Sequence, residues 1–88
     1  MEATNNLGVS PIVNEELDCS GLLCPLPIYK ASMALRQLQE GEVLKVICTD
    51  PGAVEDFPAF ARQGEHELIS AVHGEGVQTF LIRKGGAR

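Results

Sequence analysis

Residues 15–49 read "EELDCSGLLCPLPIYKASMALRQLQEGEVLKVICT", and the change of apolar period along them sets out a strand, a helix and a second strand. In "ELDC" Leu17 and Cys19 alternate with Glu16 and Asp18, the pattern of a half-buried strand. Ser20 and Gly21 then turn the chain. From Pro25 to Gln39 the apolar residues Ile28, Ala31, Leu35 and Leu38 recur at spacings of three and four, which predicts an amphipathic helix with one buried stripe. Gly41 follows where a helix stops on a left-handed residue. "VLKVICT" alternates again, with Leu44, Val46 and Cys48 on one face and Val43, Lys45, Ile47 and Thr49 on the other. A strand, a helix and a strand joined in this way form a right-handed crossover with the strands parallel.

Working outward, "TDPGAVEDFPAFARQG" predicts a second helix, with Asp50 as N-cap, Pro51 in first position, Val54, Phe57, Phe60 and Ala61 as its apolar stripe and Gly64 as its end. Pro58 fits poorly, because an interior proline costs about 3 kcal/mol, so two short pieces or a kink are expected. "ELISAV" and "VQTFLIRK" are rich in strand formers and are separated by the turn "HGEG". The chain is therefore expected to be an α+β two-layer sandwich, β-α-β-α-β-β, a four-stranded mixed sheet with two helices on one face. The other face carries some apolar side chains and offers a partner surface. The domain is expected over residues 15–84, after a flexible polar tail at 1–14 and before a frayed end at 85–88.

At 88 residues the chain is one domain that buries roughly 60 to 65% of its unfolded surface. A formal charge of −5 and only four aromatic residues argue against a nucleic-acid ligand, which needs a basic face and stacking platforms. The same charge argues against an anionic membrane surface. The N-terminal residues lack the basic start and apolar run of a secretory signal, so the cytoplasm is expected. Three cysteines in a reducing compartment read as thiols. Cys19 and Cys24 are spaced too widely for a usual zinc knuckle, and neither metal nor cofactor is expected.

Cys24 stands directly before Pro25-Leu26-Pro27. Proline is tolerated only in the first turn of a helix, and the residue before it is pushed out of the helical region, so Cys24 is expected at the N-cap with Leu26 as the main local N–H donor to its sulfur. The helix N-terminus would then draw the thiol down from roughly 8.5 toward neutral pH, where an exchanging thiol works best. The two prolines stiffen the backbone that presents it. Free cysteines are commonly small buried side chains; the flanking prolines weigh against that reading for Cys24, whereas Cys48, aligned with Leu44 and Val46, is expected to be core. Cys19 either packs inward or serves as a second thiol that resolves an oxidised Cys24. His66 and His73 flank the third strand with nothing to mark either as a base for a cysteine nucleophile. Glu40, Glu42, Glu55, Asp56, Glu65 and Glu67 read as solvated turns and helix ends.

"LDCSGLLCPLPIYKASMAL" resembles the N-terminal signature of the TusA/SirA-like sulfur carriers, in which Leu-Asp-x-x-Gly-Leu-x-Cys-Pro-x-Pro joins the first strand to the first helix. "EVLKVICTDPGAVEDFPAFARQGEHEL" and "FLIRK" are similar to the family's later segments, so the likeness spans about residues 15–84. The resemblance implies a carrier that holds sulfane sulfur as a persulfide on Cys24, with Pro25 and Pro27 structural. It also implies a cysteine desulfurase or rhodanese-like protein as donor and a DsrE-like or other protein as acceptor. The sulfur would enter tRNA thiolation, cofactor synthesis or sulfur oxidation. A monomer or weak oligomer is expected. Cys19 departs from the signature, and Leu26 makes the rim of Cys24 less acidic than in members with Glu there. Two other readings stand beside this one: a thiol redox or regulatory module using Cys19 and Cys24, and a soluble partner of a sulfur-compound transporter.

Overall fold

A computed structural model describes residues 12–86. Its elements run β1 (Glu15–Cys19), α1 (Leu26–Gln37), β2 (Val43–Cys48), α2 (Ala53–Gln63), β3 (Glu67–Gly74) and β4 (Val77–Arg83). The sheet order is β1-β2-β4-β3, with β1 and β2 parallel and the other two pairings antiparallel. This is the α+β arrangement the periodicities predict.

Alternation decides which side the helices cover. Leu44, Val46 and Cys48 of β2 and Phe80 and Ile82 of β4 are fully buried, and they form one cluster with Ala31 and Leu35 of α1 and Ala53 and Phe57 of α2. Both helices therefore pack on the same face. Phe57 stacks on Phe80 at 4.7 Å between ring centroids and meets Phe60 edge-on at 6.1 Å. On the opposite face Lys45, Ile47, Thr79 and Leu81 remain partly exposed.

Three expectations change. The buried stripe of α2 is Ala53, Phe57 and Ala61 at spacings of four, and Val54 turns outward at 38% exposure. Pro58 lies inside one continuous helix rather than dividing it. The only helical hydrogen bond its missing N–H removes is the one to Val54, on the exposed side, where water can serve the carbonyl. The hairpin turn is shorter than "HGEG": β3 runs through Gly74, and Glu75 and Gly76, at φ 51° and 80°, make the reversal.

Of the tail expected at 1–14, residues 1–11 lie outside the described residues. Asn14 is already tied to the sheet, donating its N–H to the Val43 carbonyl at 2.9 Å while its Oδ1 accepts the Val43 N–H at 2.8 Å. At the other end Ala87 and Arg88 lie outside the described residues, and Gly85 donates its N–H to His66 Nδ1 at 2.9 Å.

Candidate functional site: an exposed thiol between two carboxylates

The link from β1 to α1 is held from both sides. Leu22 N–H donates back to the Cys19 carbonyl at 3.1 Å, and Gly21, at φ 82°, donates to Thr49 Oγ1 at 2.8 Å. Cys24 donates its N–H to Asp50 Oδ2 at 2.8 Å, while Asp50 Oδ1 accepts from Gly52 N–H at 3.1 Å. One carboxylate thus joins the loop before α1 to the loop before α2. The parallel pairing of β1 with β2 makes this possible, because it brings both loops out at the same end of the sheet.

Cys24 itself is exposed. It is not the N-cap: Pro25 takes that position, the Cys24–Pro25 peptide is cis, and α1 has no side-chain cap. Leu26, expected to donate to the sulfur, instead donates its N–H to the Leu23 carbonyl at 2.9 Å, closing a turn over Cys24 and Pro25. Pro27 contributes no N–H. The helix end therefore offers the sulfur less than its position suggests.

The charges that act on the sulfur are acidic. The nearby Asp56 carboxylate, partial desolvation and the negative charge of Asp50 hold its pKa above the usual thiol value. The expectation of a lowered pKa is overturned. The full charge of a nearby carboxylate acts more strongly than the partial charge of a helix end that lacks donors. Asp56, read from sequence as a solvated side chain, lies near the site. Asp50, expected as the N-cap of α2 with Pro51 in first position, is not the cap, which is Gly52; it instead accepts the Gly52 N–H just before the helix and fixes Cys24.

Cys19 and Cys48 are placed differently. They face one another in register across β1 and β2, and both are fully buried. Burial pushes both thiols up, Cys48 to about 12. Cys19 is therefore a core residue partnered by Cys48, and the structure does not offer it as an accessible second thiol for Cys24. All three cysteines are free. His66 is half-buried, with its Nδ1 occupied by Gly85 N–H, and His73 lies edge-on to Phe80.

An apolar rim extends from Cys24 along α1. Leu23, Leu26, Tyr29 and Met33 are 67%, 47%, 60% and 62% exposed. Leu26, Tyr29 and Met33 are spaced by three and four, a second apolar stripe on the helix that its sequence displays. Among the described residues, no group of three or more acidic, histidine or cysteine side chains could hold a metal ion, and no helix is long and apolar enough to cross a membrane.

Known proteins resemble this chain over most of its length. Over 71 residues the chain is 51% identical to the sulfur carrier protein TusA of Allochromatium vinosum, covering 81% of this chain and 93% of that protein. It is 50% identical over 70 residues to a putative sulfur carrier protein of Neisseria meningitidis serogroup A, covering 80% and 95% of the two chains. The crystal structure of a SirA-like protein from Desulfitobacterium hafniense superposes with a TM-score of 0.71 over 81% of this chain and 97% of that one; at 23% identity this shows a shared fold. The model of the family described as sulfurtransferase TusA matches residues 15–84. The chain belongs to the TusA sulfurtransferase family.

Proposed function

We propose that this protein is a sulfur carrier that takes up sulfane sulfur as a persulfide on Cys24 and gives it to an acceptor protein. The observation that carries the reading is the exposed Cys24 thiol, fixed through its own N–H by Asp50 and bordered by Leu23 and Leu26. A sulfur presented on the surface with an apolar rim suits exchange inside another protein's site, where the partner supplies the remaining catalytic groups. In loading, the Cys24 sulfur attacks the outer sulfur of a donor persulfide. A new S–S bond forms, the donor's S–S bond breaks with its electron pair leaving on the donor sulfur, and no oxidant is consumed. Delivery is the same exchange with the roles reversed.

The relatives named as sulfur carriers support this class of activity. A cysteine desulfurase or a rhodanese-like protein is the proposed donor, and a DsrE-like or other thiol protein the acceptor. Three free cysteines suit a reducing compartment, and the cytoplasm is the proposed location. The redox alternative through Cys19 and Cys24 is not favoured, because Cys19 is buried against Cys48.

The test is intact and peptide mass after incubation with a cysteine desulfurase and cysteine. Wild type should gain one sulfur atom on the Cys24 peptide and Cys24→Ser should gain none. Loading of comparable extent in Cys24→Ser would refute the assignment.

A further inference from the structure

The loop that presents Cys24 is tied down from two adjacent residues. β1 pairs with β2 up to the rung of Cys19 and Cys48, and beyond that rung Thr49 and Asp50 continue the contact with their side chains. Thr49 Oγ1 accepts the Gly21 N–H at 2.8 Å and Asp50 Oδ2 accepts the Cys24 N–H at 2.8 Å, across 28 and 26 positions of sequence. Asp50 Oδ1 takes the Gly52 N–H at 3.1 Å, which anchors the carboxylate itself. Between the two ties Leu22 packs on the core. Gly21 and Cys24 are both exposed, so these bonds hold surface backbone and bury no apolar group. The cluster of Cys19, Leu44, Val46 and Cys48 beneath them is formed without either side chain.

Building on the carrier role of Cys24, we propose that Thr49 and Asp50 are positioning residues of the transfer: together they fix the backbone on either side of Leu22 and Leu23, so that the Cys24 sulfur enters another protein's site in line with the bond to be broken. In the exchange the Cys24 sulfur attacks the outer sulfur of the donor persulfide, the new S–S bond forms as the old one breaks, and the electron pair leaves on the donor sulfur. A folded donor holds its own sulfur in one place, so a carrier loop already held in place removes an ordering cost from the encounter. A small persulfide approaches from any open side and needs no such preparation. The two ties therefore matter for a protein donor and little for a small one. Thr49 also separates position from charge. Asp50 is an anion whose charge acts on Cys24, whereas the neutral Thr49 hydroxyl holds Gly21 instead.

The experiment compares full-length wild type, Thr49→Val, Thr49→Ser and Asp50→Ala. Loading of Cys24 is timed with a cysteine desulfurase plus cysteine and, separately, with glutathione persulfide, and the amide order parameters of Leu23 and Cys24 are measured by NMR relaxation. Thr49→Val and Asp50→Ala should load about tenfold more slowly from the desulfurase. Their order parameters at Cys24 should fall from about 0.85 toward roughly 0.6. In Thr49→Val, loading from glutathione persulfide should stay within about twofold of wild type, since no charge has changed. Thr49→Ser, which keeps the acceptor oxygen, should recover both quantities, and its failure to do so overturns the role of Thr49. Wild-type order parameters and desulfurase rates in folded Thr49→Val and Asp50→Ala would overturn the proposal, as would equal slowing of Thr49→Val with both donors. Should the variants not fold, wild type decides: the Cys24 amide must resist hydrogen exchange and shift as the Asp50 carboxyl is protonated, and an unprotected, indifferent amide overturns the tie. Failure of wild type to load at Cys24 would instead refute the carrier reading, while the order parameters would still judge the two ties.

Discussion

Cys19 and Cys48 oppose each other in the core while Cys24 lies in the open, so three identical side chains have two different chemical prospects. Burial favours the neutral thiol, which links the pair to stability at high pH. The folded pKa of Cys48, about 12, stands above its ordinary 9.0, so its contribution is complete below 9.0 and is lost as pH rises toward 12. Chemical unfolding followed by circular dichroism from pH 8 to 11 should therefore show an alkaline loss of stability that is shallower in Cys48→Ala. That variant should also cost about 1 to 2 kcal/mol at neutral pH through its lost contacts, with Cys24 alkylation unchanged. Cys48 was legible as core because it shares a strand face with Leu44 and Val46. Cys19 was not, since inward packing and service to Cys24 both agree with its place at the end of β1, and only its register with Cys48 decides. Asp56 was illegible for a related reason: an acidic residue in the first turn of a helix already has a sufficient local explanation in the dipole.

At the level of elements, the last described residues are fastened to the C-terminal ends of both helices. His66 accepts Gly85 N–H at Nδ1, its ring lies 5.8 Å from that of Phe60, and Lys84 Nζ donates to the Leu38 carbonyl at 2.8 Å. A Cβ on Gly85 would run into the Glu65 carbonyl, so this close approach requires glycine. Burial and the nearby Lys84 charge lower the His66 pKa below its ordinary 6.5. The sign follows: the fold prefers neutral imidazole, so this contribution is present above 6.5 and is lost as pH falls through the lower, folded value. His66→Ala should lose about 1 kcal/mol at pH 7.5 for the missing bond and should show a smaller decline in stability between pH 7 and 5.5, measured by urea unfolding. The periodicity of α1 fixed its buried stripe of Ala31 and Leu35, and the stripe of Leu26, Tyr29 and Met33 lies in plain view beside it. What the pattern alone leaves undecided is which of two apolar stripes the sheet will cover.

Across the whole molecule, chemistry gathers at the end of the sheet where β1 and β2 both run out into helices. There Cys24 adjoins the exposed apolar side chains of Leu23 and Leu26 and is tied through its N–H to Asp50, with Asp56 nearby in α2. If the rim is the contact a sulfur donor uses, Leu26→Glu, at a site 47% exposed, should change the melting temperature little while slowing loading from a cysteine desulfurase about tenfold or more. Loading from a small persulfide should change far less, and equal slowing in both assays would count against the rim. The amino-acid sequence by itself determined the element order, the core face of β2 and the cysteine that stands out, because period and proline chemistry act over a few neighbouring residues. Only the tertiary structure decided which charges act on that cysteine. Asp50 and Asp56 lie 26 and 32 positions further along the chain, and a charge acts through distance in space, which the pairing of β1 with β2 sets and no local pattern encodes.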